Sequence, residues 1–191
     1  MIDARHARRG IIPALFIWPL LFFTLGFVSI YSALSAFICI LLPFILLAKT
    51  KEKTWCRNYC PRASLISLTG RAKKKWRKPP KVFTDGSMRR WMLIYLGINL
   101  LFIVGSTMRV ALGKMESMAF VRLFIVIPLW PLPQLLQVSA PPFLLHLSYR
   151  LYSLMLSSTI LGIIFSRLWR PRLWCAACPV GSLSNRLLRK G

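Results

Sequence analysis

Four of the five cysteines in this chain fall into two pairs set in a shared local pattern. The first pair stands in Trp55-Cys56-Arg57-Asn58-Tyr59-Cys60-Pro61-Arg62-Ala63-Ser64-Leu65, the second in Trp174-Cys175-Ala176-Ala177-Cys178-Pro179-Val180-Gly181-Ser182-Leu183. Both read W-C-(two or three residues)-C-P-x-(A or G)-S-L. On a helical turn, cysteines spaced i,i+4 or i,i+3 project to one side, so each motif offers a two-thiolate pincer. Two pincers make a Cys₄ site, which satisfies either a tetrahedral zinc ion or an iron–sulfur cluster; spacing alone leaves both open. A cytoplasmic setting disfavours disulfides, because thiols there are kept reduced.

The residues around the pincers favour the cluster. Proline directly after the last cysteine of a pair closes ferredoxin ligand runs, and here the Cys-Pro dipeptide occurs twice. Small residues follow at Ala63, Ser64, Gly181 and Ser182. If helices begin there, their unpaired backbone N–H groups and positive dipole ends face an anionic centre. Arg57, Arg62 and Arg172 add compensating charge. A structural zinc explains the four thiols but does not call for the membrane scaffold described next.

The elements that must position these motifs are membrane helices. The chain of 191 residues is 56% hydrophobic, more than a soluble core of this size buries. Gly10 to Ala48 carries no charged side chain over 39 residues, about twice what one crossing needs, so two helices are expected with a turn around Gly26 to Ser32. A third helix is expected from Trp91 to Met108 and a fourth from Leu145 to Leu168. Pro128, Pro131, Pro133, Pro141 and Pro142 argue that Leu123 to Phe143 is interfacial or re-entrant, because a helix through them would lose hydrogen bonds that lipid cannot replace.

The charge balance is 27 Lys+Arg against 4 Asp+Glu. In a soluble protein this would suggest nucleic-acid binding. Here 23 of the 27 basic residues lie in the N-terminal arm, in 49–90 and in the tail from Arg167, so no nucleic acid is expected and these stretches face the cytoplasm by the positive-inside rule. The run RAKKKWRKPPK reads as a solvated face near anionic headgroups of membrane lipid.

The expected fold class is therefore an all-α integral membrane protein with four transmembrane helices, arranged as two pseudo-repeated hairpins, each followed by a cytoplasmic cysteine motif. Residues 1–50 form an arm and the first hairpin, and 51–90 a basic loop with the first motif. Residues 91–168 form the second hairpin, with a Pro-rich extracytoplasmic segment at about 113–144, and 169–191 the second motif and basic tail. The expected location is the inner (cytoplasmic) membrane, multi-pass, with both termini in the cytoplasm.

This layout resembles the membrane iron–sulfur proteins of the NapH/NosR type over roughly residues 10 to 185. The resemblance implies one [4Fe–4S] cluster on Cys56, Cys60, Cys175 and Cys178, and electron transfer between a quinone pool or cytoplasmic donor and a partner oxidoreductase or flavoprotein. It implies a subunit more than a self-contained enzyme. Two departures stand out. The second motif is C-x-x-C-P where the family has C-x-x-x-C-P, and the further ferredoxin-like cysteine runs of larger relatives are missing. No S-G-A-T flavin-attachment sequence occurs. The alternative is a non-redox assembly or maturation factor pinned by a structural Cys₄ zinc site.

Several tempting residues read as structural. Cys39 lies within the second helix without a partner cysteine nearby in sequence. His6 and His146 fall on opposite sides of the membrane, so they cannot form a haem site together. Arg109, Glu116, Arg122, His146 and Arg150 form the extracytoplasmic polar group, where a quinone pocket is conceivable. The plainer reading has Arg109 and Arg150 snorkelling to the interface, with Glu116 paired to one of them.

Overall fold

The structure is a computed structural model that describes residues 13–52, 55–71, 77–84, 86–123, 127–129, 131–136 and 140–188. Much of the basic run between Arg71 and Lys81, the arm before Pro13, Gln137 and the side chain of Arg57 fall outside the description. A 3₁₀ turn at Pro13–Phe16 leads into α1, Ile17–Val28. Ser29 is extended and breaks the run, and a second 3₁₀ turn, Ile30–Ser35, continues into α2, Ala36–Thr50. The expected division around Gly26 to Ser32 is thus where the backbone turns. Helix α2 ends at Lys51, which adopts a left-handed φ of 52° while its N–H closes on Leu47 O at 2.9 Å.

A five-residue π-helical turn, Trp55–Tyr59, precedes α3, Pro61–Arg71. After a short α4, Lys81–Thr84, come α5, Ser87–Ala111, and α6, Pro142–Leu168. Two short helices close the described chain: α7, Leu173–Ala177, and α8, Pro179–Leu188. Proline opens α3, α6 and α8, where its missing N–H costs nothing and its fixed φ suits the first turn.

Among the described residues, three helical runs are long and apolar enough to cross a membrane: Ile30–Thr50, Ser87–Ala111 and Pro142–Leu168. The expected first crossing is a shorter apolar helix, Ala14–Val28. Helix α5 exposes Leu101, Phe102 and Val104 by more than half. Such apolar exposure suits lipid, which makes no distinction between a buried and a lipid-facing leucine.

The Pro-rich stretch forms no crossing helix among its described residues. Arg122–Leu123 (β1) pairs antiparallel with Ile127–Pro128 (β2). The chain then lies over the end of α1: Leu135 N–H and Leu136 N–H donate to Phe27 O and Val28 O at 3.2 and 2.9 Å. Gln134 completes this cap by accepting from Ile30 N–H at 2.6 Å and donating to Gly26 O at 3.2 Å. Carbonyls and amides that α1 and the following turn leave open are thereby satisfied.

Below this cap lies the main core, where Ile30 and Ala33 pack with Tyr149 and Tyr152 of α6 and with Met118, Val121 and Leu132. His146 is fully buried beside it. Its Nδ1 accepts from Met118 N–H at 3.1 Å, so Nε2 carries the hydrogen and donates to Ser106 Oγ at 2.9 Å. A neutral imidazole thus pins the 118 loop, α5 and α6 together. Glu116 is exposed, and among the described residues no ion pair joins it to Arg109 or Arg150 as the sequence suggested.

Candidate metal centre

The decisive geometry is the path of α3. Arg62 Nη1 donates to Ser158 Oγ at 2.5 Å, and Ser166 Oγ donates to Ile66 O at 2.7 Å. A Cβ on Gly162 would overlap Ile66 Cδ1, and one on Gly70 would overlap Ser166 Oγ. Residues 62, 66 and 70 therefore stand opposite 158, 162 and 166, so α3 runs parallel to α6 in a constant register. The two glycines permit the close approach. Because α3 ends beside the end of α6, its start lies about ten residues inward, roughly 15 Å along the helix axis.

The second motif doubles back in the same way. Pro171 meets the end of α3 at Gly70, Trp174 packs against Phe165 at a 39° tilt with centroids 5.8 Å apart, and the next reference point, Cys178, lies 3.9 Å from Arg62 Nη2. Since Arg62 is held at Ser158, Cys178 has climbed to the same level of α6 from which α3 descends. The expectation was that the motifs sit at the ends of the long helices. Both instead return into the bundle: α3 packs on α6 and α1, and α8 on α5 and α2.

The two motifs meet there. The charges of Cys60, Cys175 and Cys178 act on one another, which requires the three thiols to be close. Cys56 is half-buried on the π-turn that ends just before Cys60. No disulfide joins any of the five cysteines. Cys39, set aside on sequence grounds, lies within electrostatic reach of Cys60 and Arg62, because the chain after α2 folds back along that helix.

Burial pushes the Cys60 thiol upward, while Arg62 and the N–H groups of Ala63 and Arg62, which donate to it, pull the other way; Cys178 adds to the rise. Those amides are the open donors of the first turn of α3, the arrangement that the small residues after Cys60 suggested. Cys175 is pushed up to about 12, first by burial, then by Cys60 and Cys178, against the pull of Arg172 and Arg62. Its residue surface is nonetheless exposed. Arg172 is held with a left-handed φ of 64°, and its Nε donates to Ser67 Oγ on α3 at 3.1 Å.

Among the described residues, no three Cys, His, Asp or Glu side chains converge at single-ion spacing. A zinc ion needs all its thiolates about 2.3 Å from one point, whereas a cluster distributes them over separate irons. Two buried donors of the second motif, Trp174 Nε1 and Ser182 Oγ, also have no partner within the protein. Orphaned N–H and O–H groups beside thiols suit an anionic sulfide-bearing group.

A family model described as a 4Fe-4S binding domain matches residues 32–79 and 153–190. The cofactor this supports is a [4Fe–4S] cluster. The two matched segments make up less than half of the chain, and each contains one of the cysteine motifs. The first runs from the 3₁₀ turn before α2 through α3, the second from mid-α6 through α8. No curated protein and no solved structure gives a significant match.

Sequence reasoning named the four cysteines, Arg62 and Arg172, and missed Ser158, Gly162 and the proximity of Cys39. The usable signal was polarity inside an apolar helix. Ser153, Ser157, Ser158, Thr159 and Ser166 mark α6 as a helix with neighbours to hold.

Proposed function

We propose that this chain is a membrane-bound electron-transfer subunit in which Cys56, Cys60, Cys175 and Cys178 hold one [4Fe–4S] cluster within the helical bundle. Such a cluster supplies a one-electron carrier. The observation that carries the reading is the return of both motifs along α6, which gathers Cys60, Cys175 and Cys178 around Arg62.

The protein's own groups then have distinct tasks. The first turn of α3 offers backbone N–H groups to the Cys60 thiolate, and Arg62 and Arg172 offset the charge of the cysteines. Loading the cluster releases the protons of the coordinating thiols, so its assembly depends on pH. Electrons pass between a quinone pool or cytoplasmic donor and a partner oxidoreductase or flavoprotein, as the NapH/NosR-type resemblance suggests. The charge distribution supports an inner-membrane location with both termini and the basic loop in the cytoplasm, and the shorter α1 then serves as the fourth crossing.

Anaerobically purified protein tests this. About four irons and four acid-labile sulfides per chain are expected, with a broad visible absorption and a paramagnetic signal on reduction. Serine at any one of Cys56, Cys60, Cys175 or Cys178 should weaken or abolish the absorption, and Cys39→Ser should leave it intact. Stoichiometric zinc without sulfide would overturn the proposal in favour of a structural site.

A further inference from the structure

A second polar site lies between α5 and α6, on the other side of Ser157 and Ser158 from the cysteines. Arg122 and Arg150 face it together with Asn99, Tyr95, Ser153 and Ser157, and the guanidinium charges of the two arginines act on each other. The Nε atoms of both arginines are buried and have no hydrogen-bond partner. Asn99 and Ser153 are more than nine-tenths buried; Asn99 Nδ2 donates to Tyr95 O at 2.7 Å and Ser153 Oγ to Tyr149 O at 2.7 Å. Arg122 is fixed from behind by its own N–H to Ser153 Oγ at 3.1 Å and by the Phe120 ring 4.8 Å below its guanidinium.

Two adjacent cations inside a low-dielectric bundle repel unless something negative stands between them. The described carboxylates, Glu52 and Glu116, are exposed. His146, the other titratable group that feels both arginines, has its two nitrogens engaged and is neutral. Among the described residues no carboxylate meets the two arginines, which leaves the place open to an acceptor from outside the protein. Its size is set by the cavity, about 20 Å³, which has room for one water-sized atom.

The geometry points to a site for a single anionic atom, a halide ion or one oxygen of an anionic headgroup, held by Arg122 Nε and Arg150 Nε. The site stands apart from the cysteines, and its case does not depend on the cluster reading. Arg150 lies eight residues inside the start of α6, roughly 12 Å along the axis, so the anion enters from the end opposite the cysteine motifs. Once bound, it converts a repulsive pair into a strap between β1 and α6.

The test uses the full chain, cluster loaded, in a neutral maltoside detergent, with the thermal midpoint followed at constant ionic strength. Replacing sodium gluconate by sodium chloride or bromide should raise the midpoint along a saturating curve, whereas gluconate is too large to enter. Arg122→Gln and Arg150→Gln should each flatten the curve. If added phosphatidylglycerol gives the same rise in gluconate and makes halide redundant, the acceptor atom is a headgroup oxygen; if halide acts without lipid, it is the free ion. Identical midpoints in gluconate, chloride, bromide and lipid would overturn the proposal. So would a rise with a neutral quinol analogue alone, which would make the cavity an organic pocket. The wild-type comparison decides the matter even if a variant fails to fold.

Discussion

Gly162 is where the two returning segments converge on α6, and adding one methyl group there tests the whole arrangement. A Cβ at this position would overlap Ile66 Cδ1, stand 3.1 Å from Ile66 Cγ1 and 3.4 Å from Trp174 Cδ1. Ile66 is 1% exposed and Trp174 4%, so neither has space to retreat into, and Ile is stiff about χ1. Overpacking of this kind costs about 1–3 kcal/mol, set against the ~0.5–1 kcal/mol that Ala gains over Gly in a helix. Gly97 on α5 supplies the control, since nothing stands within 4 Å of its Cβ position. The assay is the thermal midpoint of the detergent-solubilised protein together with its visible absorption. Gly162→Ala should lower both and Gly97→Ala neither. Pairing Gly162→Ala with Ile66→Ala should recover about 0.5–3 kcal/mol relative to the sum of the single variants, the range expected for residues in contact. If Gly162→Ala behaves like Gly97→Ala and shows no coupling to Ile66, α3 does not lie against α6 and the inward position of the cysteines is wrong.

Three further outcomes follow from named contacts. Arg62→Gln removes a positive charge 3.9 Å from Cys178 Sγ; at an effective dielectric near 20 this is worth up to about 4 kcal/mol, less for charge spread over a cluster, so redox titration should give a midpoint lower by on the order of 50–100 mV. Arg62→Lys should recover part of that shift. Gln134→Ala strips the cap from Gly26 O and Ile30 N–H, and should cost about 1–3 kcal/mol in the thermal midpoint while leaving the visible absorption per folded protein unchanged. A periplasmic reporter fused after Ser87 or at the C-terminus should be inactive, and activity at either point would refute the topology drawn from the basic residues.

The sequence made some features legible because their physics is local. Apolar runs, the turn near Ser29 and the proline-interrupted segment each follow from hydrogen-bond demands that a stretch of chain meets or fails by itself. The helices after each Cys-Pro were legible for the same reason, since Pro61 and Pro179 are suited to first positions. What could not be read was direction. Nothing local distinguishes a helix lying along the membrane surface from one returning into the bundle. The return is specified by pairs remote in the chain: Ile66 with Gly162, Gly70 with Ser166, Arg62 with Ser158. Single residues among these look ordinary, and only their constant register gives α3 its place. The same blindness hid Cys39, which is far from Cys60 in sequence and near it only because the chain reverses after Lys51.

The inward position also explains why the motifs carry so much besides thiols. Four thiolates leave even an oxidised cubane with net negative charge, and away from water that charge must be met by the protein. The helix start at Pro61 provides oriented amides, while Arg62 and Arg172 provide full charges anchored on Ser158 and Ser67. At the membrane surface, solvent would do this work and neither serine anchor would be needed. The doubled Cys-Pro-x-small-Ser pattern is then the sequence of a buried centre, whose ligands, amides and countercharges have to travel inward together.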